Sequence, residues 1–310
     1  MLHPIIDQEG IDIQREAVKE EKRIRDNQPY SRFYEALKSN LFNEHTYKNP
    51  LIGVPEHLDN AVLQDFIDFR NNFYMPSNAV FVVAGDIEIE TTKNLISKYF
   101  SAVPAAEKND IVVIKEEPIV KEIRAVEYDP NIQIPALVIG YRTPSMKSRE
   151  ARVLDLVSTY LSDGPSSKLY KRMVDNNKTA LQVSASNIGH EDYSMYYILS
   201  LPLGDTSLEQ LSIEIDEEIL KIQQNLISEN DYEKLQNKFE NQFVNSNSSA
   251  SGIGVSLAQY HTLYGDANLI NSEIEIYRSI SRDEIRDVAK KYLNTNQRLF
   301  LEYLPENEKK

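Results

Sequence analysis

Few residues in this sequence could do chemistry. Cysteine is absent, which removes thiolate nucleophiles, thiolate metal ligands and disulfides together. Five histidines remain as candidate imidazole ligands or general bases: His3, His45, His57, His190 and His261. No two of them stand three or four residues apart. Both H-E-x-x-H and its inverse H-x-x-E-H, the helical spacings that bring two imidazoles to one zinc ion, are therefore missing. "LFNEH" (Leu41–His45) imitates the end of the inverse pattern, but Leu41 stands where the first imidazole is needed, so the stretch reads as a helix end. His190, in "GHED", reads as a turn between two strands. "SASGIGVS" (Ser249–Ser256) holds a G-x-G without the third glycine or the Lys-Ser/Thr of a phosphate loop. It is expected to be a flexible entry to a helix over Leu257–Leu263. No G-x-S-x-G marks a serine nucleophile.

Carboxylates are the other source of chemistry, and "QREAVKEEKRIRD" (Gln14–Asp26) places Glu20 beside Glu21 in a basic run. On a helix, Ile13, Ala17 and Ile24 fall within ~40° of one another and form a narrow apolar stripe. Glu20 borders that stripe on one side and Glu21 on the other, and Gln14 lies nearly above Glu21 at its edge. Glu21 could pair with Arg25 one turn on, for a few tenths of a kcal/mol. A salt bridge on a solvated face accounts for either glutamate, and the helical wheel does not choose between them.

These residues must be positioned by a chain of 310 residues, a length that suggests two domains. With 41% hydrophobic and 26% charged residues it can bury a core. The net charge of -14 repels polyanions, so nucleic acid is not an expected partner. No apolar run approaches the ~20 residues of a membrane span, and "MLHPIIDQEG" does not read as a secretory leader. A helix is expected over about Asp59–Tyr74, a buried strand over Ala79–Gly85 and an amphipathic helix over Thr91–Phe100. The boundaries that follow are a first domain over 1–105, a linker over 106–121 and a second domain over 122–310. The second opens with strands, continues mainly as helix from Ser207 to about Lys291, and closes on the strand Gln297–Leu304. "DFIDFRNNFYMPSNAVFVVAGD" and "DEIRDVAKKYLNTNQRLFLEYL" look like an internal repeat, with Tyr74 matching Tyr292 and Asn78 matching Asn296 at a constant offset of 218. The first copy lacks the strands that precede the helices of the second.

The order "QREAVKEE … NPLIGVPEHL … FRNNFYMPSNAVFVVAGDI", followed by "SSKLYKRMVDNNKTALQVSAS", resembles the insulinase/pitrilysin family of zinc peptidases, in particular its bacterial, processing-peptidase-like branch. The resemblance spans essentially the whole chain. It implies an α+β fold of two homologous domains, each a mainly antiparallel sheet packed with helices and together a clamshell, the first truncated at its N-terminus. It implies a metalloendopeptidase acting on unfolded or extended peptides with a zinc cofactor. Glu21 matches the family's distal zinc ligand, and Glu20 becomes an outer neighbour. The H-x-x-E-H helix with the general base is expected about 70–80 residues before Glu21, upstream of Met1. No catalytic residue is therefore assigned here, and the chain by itself is expected neither to hold zinc tightly nor to cut. Two family positions are altered: an assisting carboxylate falls on Gln14, and an Arg and Tyr of the second domain fall on Val174 and Leu181, with Arg172 and Tyr170 out of register. The implied partners are a peptide or unfolded protein and either the missing N-terminal half-domain or a homologous partner subunit. A non-catalytic scaffold subunit or peptide-binding module is the alternative. The compartment, bacterial periplasm or cytoplasm, stays open.

Overall fold

Residues 136–144 read A-L-V-I-G-Y-R-T-P, with apolar side chains in both registers of a strand, so a sheet built on them needs cover on both faces. The computed structural model describes residues 4–104 and 112–309, and it shows that sheet. Its strands are β1 (Ile123–Asp129), β2 (Ala136–Pro144), β3 (Ala180–Ile188), β4 (Tyr193–Pro202) and β5 (Arg298–Pro305), in the spatial order β1-β5-β2-β4-β3. Only β1 and β5 run parallel; the other neighbours are antiparallel. The fold is α+β with a mainly antiparallel sheet.

The helices are α1 (Gln8–Asp26), α2 (Phe33–Leu41), α3 (Pro55–Asn60), α4 (Leu63–Phe73), α5 (Ile89–Phe100), α6 (Arg149–Ser162), α7 (Leu208–Gln224), α8 (Glu229–Ser246), α9 (Ala250–Gln259), α10 (Glu273–Arg278) and α11 (Arg282–Tyr292). One face of the sheet sends Leu137, Ile139, Tyr141, Tyr196, Ile198 and Phe300 into a core with α6, α7 and α11. The alternate residues Val138, Met195, Leu299 and Leu301 meet Leu37, Leu41 and Phe42 at α2. Gly140 makes that second layer possible, because a Cβ there would lie 2.3 Å from Leu37 Cδ1.

The chain forms two compact units, and both are discontinuous in sequence. Unit 1 holds residues 1–24, 51–112 and 241–273; unit 2 holds 25–50, 113–240 and 274–310. The offset of 218 relates the interleaved segments to one another. Moved on by 218, Pro55–Asn60 becomes Glu273–Arg278, the bounds of α10, and α2 and α4 land within one residue of α9 and α11. The repeat thus extends well beyond the two stretches in which it was first legible. Its second helix is exchanged: α2, from the first copy, belongs to unit 2, and α9, from the second copy, belongs to unit 1.

Unit 1 differs from expectation in three places. The helix expected over Asp59–Tyr74 is two helices, because Val62 is extended and its N–H donates to the Asp65 carboxylate at 2.9 Å, starting α4 afresh. The stretch 79–85 follows a 3₁₀ turn at Pro76–Asn78 and starts extended at Ala79, but it is not a strand and bends at Gly85. A strand needs a hydrogen-bonded neighbour, and the described residues of unit 1 contain no other strand to supply one. Gly252 and Gly254 lie inside α9 rather than in a flexible lead to it; Ser249 caps that helix by accepting the Gly252 N–H at 3.0 Å. Part of the expected linker, residues 106–111, lies outside the described residues.

Candidate functional site

Glu21, the metal ligand implied by the resemblance, sits on α1, which starts where Asp7 accepts the Gly10 N–H at 2.8 Å. The face of α1 that packs within unit 1 is polar. Arg15 donates from Nε to Leu58 O and from Nη2 to Ala61 O, both at 2.8 Å, and so satisfies carbonyls at the end of α3. Lys19 reaches Asp59 at 2.9 Å, and Ile11 is the one buried residue of the helix. The apolar stripe is left outside: Ile13 is 61% and Ile24 55% exposed. Ile5, Ile6, Ile11, Ile13, Gln14 and Phe66 line an open hollow of about 400 Å³ beside it.

Glu20 and Glu21 are both exposed on α1. Glu20 is held in a two-point fork by Arg23, whose Nε and Nη2 donate to its two oxygens at 2.8 and 2.6 Å. That bond holds the Glu20 carboxyl below its usual range. Glu21 is exposed on the other flank of the uncovered stripe. A hydrolytic zinc site takes three protein ligands and keeps one open position. Among the described residues no three His, Asp or Glu side chains form a group that could hold a metal ion. Glu21 alone does not make a zinc site, and no catalytic step is derived from this chain.

The histidines are dispersed. His45 is buried and caps the 3₁₀ turn Thr46–Lys48; Nδ1 accepts the Tyr47 N–H at 3.2 Å, and Nε2 lies 3.2 Å from Asp192 Oδ2. His190 lies between β3 and β4, its Nε2 3.4 Å from the Tyr34 hydroxyl. Burial, then the charge of Lys38, pushes its pKa down. His57 is on α3, His261 follows α9, and His3 lies outside the described residues.

In unit 2 the Arg172 guanidinium is taken up by α7: it meets Glu214 at 3.4 Å and Glu218 at 2.9 Å, and also pairs with Glu217. Val174 packs against the core, and Leu181 is exposed on β3. A clasp that no local pattern announced centres on Glu116. Its carboxylate accepts the N–H groups of Asn43, Glu44 and His45 at 2.9, 2.8 and 2.6 Å, and Arg142 Nη1 at 2.6 Å. A lone glutamate some seventy residues from the turn that it caps carries no sequence signal.

Comparison with known proteins gives one consistent picture. A family profile described as "Peptidase M16 inactive domain" matches residues 60–239. The chain is similar to a Helicobacter pylori protein named "Zinc protease PqqE", 26% identical over 254 residues, which covers 80% of this chain and 56% of that protein. A Bacillus subtilis protein named "Uncharacterized zinc protease YmxG" is 20% identical over 301 residues, covering 96% of this chain and 72% of that one. The solved structure of a protease from Helicobacter pylori matches with a TM-score of 0.90 at 23% identity, over 98% of this chain and 74% of that chain. The chain spans little more than half of the PqqE protein's length.

Proposed function

We propose, starting from a chain that belongs to the peptidase M16 inactive-domain family, that it is part of a zinc-dependent metalloendopeptidase whose substrates are unfolded or extended peptides. The relatives are named zinc proteases, so the family is one of hydrolases. The observation that carries the finer reading is Glu21. It is an exposed carboxylate on the edge of an apolar stripe that the described residues leave uncovered, at the place that resembles the family's distal ligand. In the completed enzyme Glu21 would hold the zinc as the carboxylate of a two-imidazole, one-carboxylate set, and a zinc bound there would lower the pKa of a water at its open position. Glu20 stays with Arg23 on the surface. This chain alone neither retains zinc nor cuts.

The peptide-binding role fits unit 2. Its sheet ends in β3, whose outer edge has no strand partner among the described residues and offers backbone donors and acceptors to an extended chain. No helix among the described residues is long and apolar enough to cross a membrane.

The test is the coding sequence of the complete gene. An H-x-x-E-H about 70–80 codons ahead of Glu21 supports the enzyme reading. A complete open reading frame without it, extending through that interval, removes that reading. It then favours a second one, a non-catalytic partner or peptide-binding module, which the inactive-domain match over residues 60–239 also suits. That second reading requires calorimetric binding of an unfolded peptide that is indifferent to added zinc.

A further inference from the structure

In unit 2, Lys38 is half-buried on α2, one turn after Tyr34, and forms no ion pair among the described residues. Its Nζ donates to the Asn49 carbonyl at 3.1 Å and lies 5.8 Å from the centre of the Tyr34 ring. Burial pulls its pKa down, and Glu35 on the same helix opposes that shift only from a distance. The next carboxylates are engaged elsewhere: Asp192 faces His45 at 3.2 Å, and Glu191 faces Lys147 at 3.5 Å. A charge withdrawn from water without a counter-charge is costly, and groups perturbed in this way gather where ligands bind.

Two neutral groups accompany the lysine. Tyr34 Oη lies 3.4 Å from His190 Nε2, in the turn between β3 and β4. Burial raises the Tyr34 pKa; burial, then the charge of Lys38, lowers that of His190, so both stay neutral at pH 7. When Nε2 carries the imidazole proton and donates it to Tyr34 Oη, the phenol hydrogen is free for a third group. The surroundings are aromatic. The Tyr47 ring lies 5.0 Å from that of His190, and Tyr197, whose electrostatic influence reaches Tyr34, packs 5.5 Å from Phe33. An ammonium and a phenol O–H suit a small oxyanion, the first by charge and the second by a directed hydrogen bond.

We propose that Lys38 and Tyr34 bind a carboxylate of a peptide, with His190 as the positioning residue that turns the Tyr34 hydroxyl toward it. The carboxylate is the C-terminus of an extended chain or the side chain of an Asp or Glu within it; the recognising chemistry is the same. The inference rests on the reading that this chain handles peptides, and it names a group by which one is held. It involves neither Glu21 nor zinc.

Nuclear magnetic resonance and calorimetry on the 310-residue chain test it. Sodium acetate, exchanged for sodium chloride at constant ionic strength, should shift the ring signals of Tyr34 and His190 along one saturable curve, and Lys38→Gln should abolish the shift. Three peptides of one unfolded sequence then separate the sources: a free acid without Asp or Glu, its C-terminal amide, and that amide with one internal Glu. At least one carboxylate-bearing peptide should bind about 10-fold or more tightly than the plain amide. Preference for the free acid assigns the C-terminus; preference for the Glu peptide assigns the side chain. Lys38→Gln and Tyr34→Phe should each remove the preference and Lys38→Arg should keep most of it, with urea midpoints showing that unit 2 stays folded. Ring signals that ignore acetate, or a preference that survives Lys38→Gln, overturn the site. Equal binding of all three peptides sinks this inference and leaves the peptide-handling reading. No binding of any peptide, with the acetate shift intact, sinks that reading and with it the peptide as the source of the carboxylate.

Discussion

Glu116→Ala should cost unit 2 about 3–5 kcal/mol, the range for removing one partner of a buried ion pair. The Glu116 side chain is 1% exposed and that of Arg142, its partner at 2.6 Å, is 8% exposed. Truncation leaves the guanidinium buried without its anion and strips the amides of Asn43, Glu44 and His45 of a shared acceptor. Each stranded amide could add about 1–3 kcal/mol, but the space vacated by the carboxylate admits water to them, so these losses do not sum. Glu116→Gln keeps one acceptor oxygen and loses the charge, and should fall between wild type and alanine. Urea unfolding followed by far-ultraviolet circular dichroism reads the difference at constant slope. The acid limb provides an internal check. Burial by itself would raise the Glu116 carboxyl, but the amides of His45, Asn43 and Glu44 and the charge of Arg142 outweigh it and hold the pKa below the ordinary value of 4.5. A lowered carboxylate pKa contributes stability that is present above the unfolded value and lost as pH falls through the folded one. The gap between wild type and alanine should therefore shrink below about pH 4.5. A loss under about 1 kcal/mol at neutral pH, or a gap that widens in acid, would refute the clasp.

Two further perturbations follow from the packing and the charges of unit 2. Gly140→Val drives a side chain into Leu37, which is fully buried on α2, and should destabilise by about 1–3 kcal/mol; thermal unfolding by circular dichroism measures it, and an unchanged midpoint would mean that α2 does not lie on β2. His190, whose pKa is pushed down by burial and then by Lys38, favours its neutral form in the fold. Its penalty is absent well above the ordinary value of 6.5, grows as pH drops through that value, and levels off below the folded pKa. His190→Gln should flatten the loss of stability between neutral and mildly acid pH, as measured by urea midpoints; identical slopes for variant and wild type would contradict this.

The sheet of unit 2 was legible because its strands carry their own signal. Ala136–Gly140 is apolar in both registers, and Gln297–Leu304 is closed off by turn residues. The matching stretch Ala79–Gly85 reads the same way, yet it has no ladder, because strand propensity is local while a hydrogen-bonded neighbour is not. The repeat was visible only where a tyrosine and an asparagine recur. Its extension over α2, α3, α9 and α10 rests on helix lengths and positions whose side chains have diverged; Ala36 against Gly254 is one such pair. Interleaving of the two units could not be read from residues 25–50 or 241–273, since an amphipathic helix does not say which sheet it will cover. At the candidate site, the helical wheel left Glu20 and Glu21 equal, and only the family resemblance chose Glu21. The fork from Arg23 to Glu20 joins residues three apart on one helix, and which of several neighbouring charges pair is a rotamer choice that spacing alone does not fix.

The central claim, that Glu21 closes a metal shell completed by residues outside this chain, is tested most directly by the zinc content of the complete gene product. The account predicts near-stoichiometric zinc in the wild type and in Glu20→Gln, and a loss of most of it in Glu21→Gln with the unfolding curve of unit 2 unchanged. Full zinc retention in Glu21→Gln would contradict it.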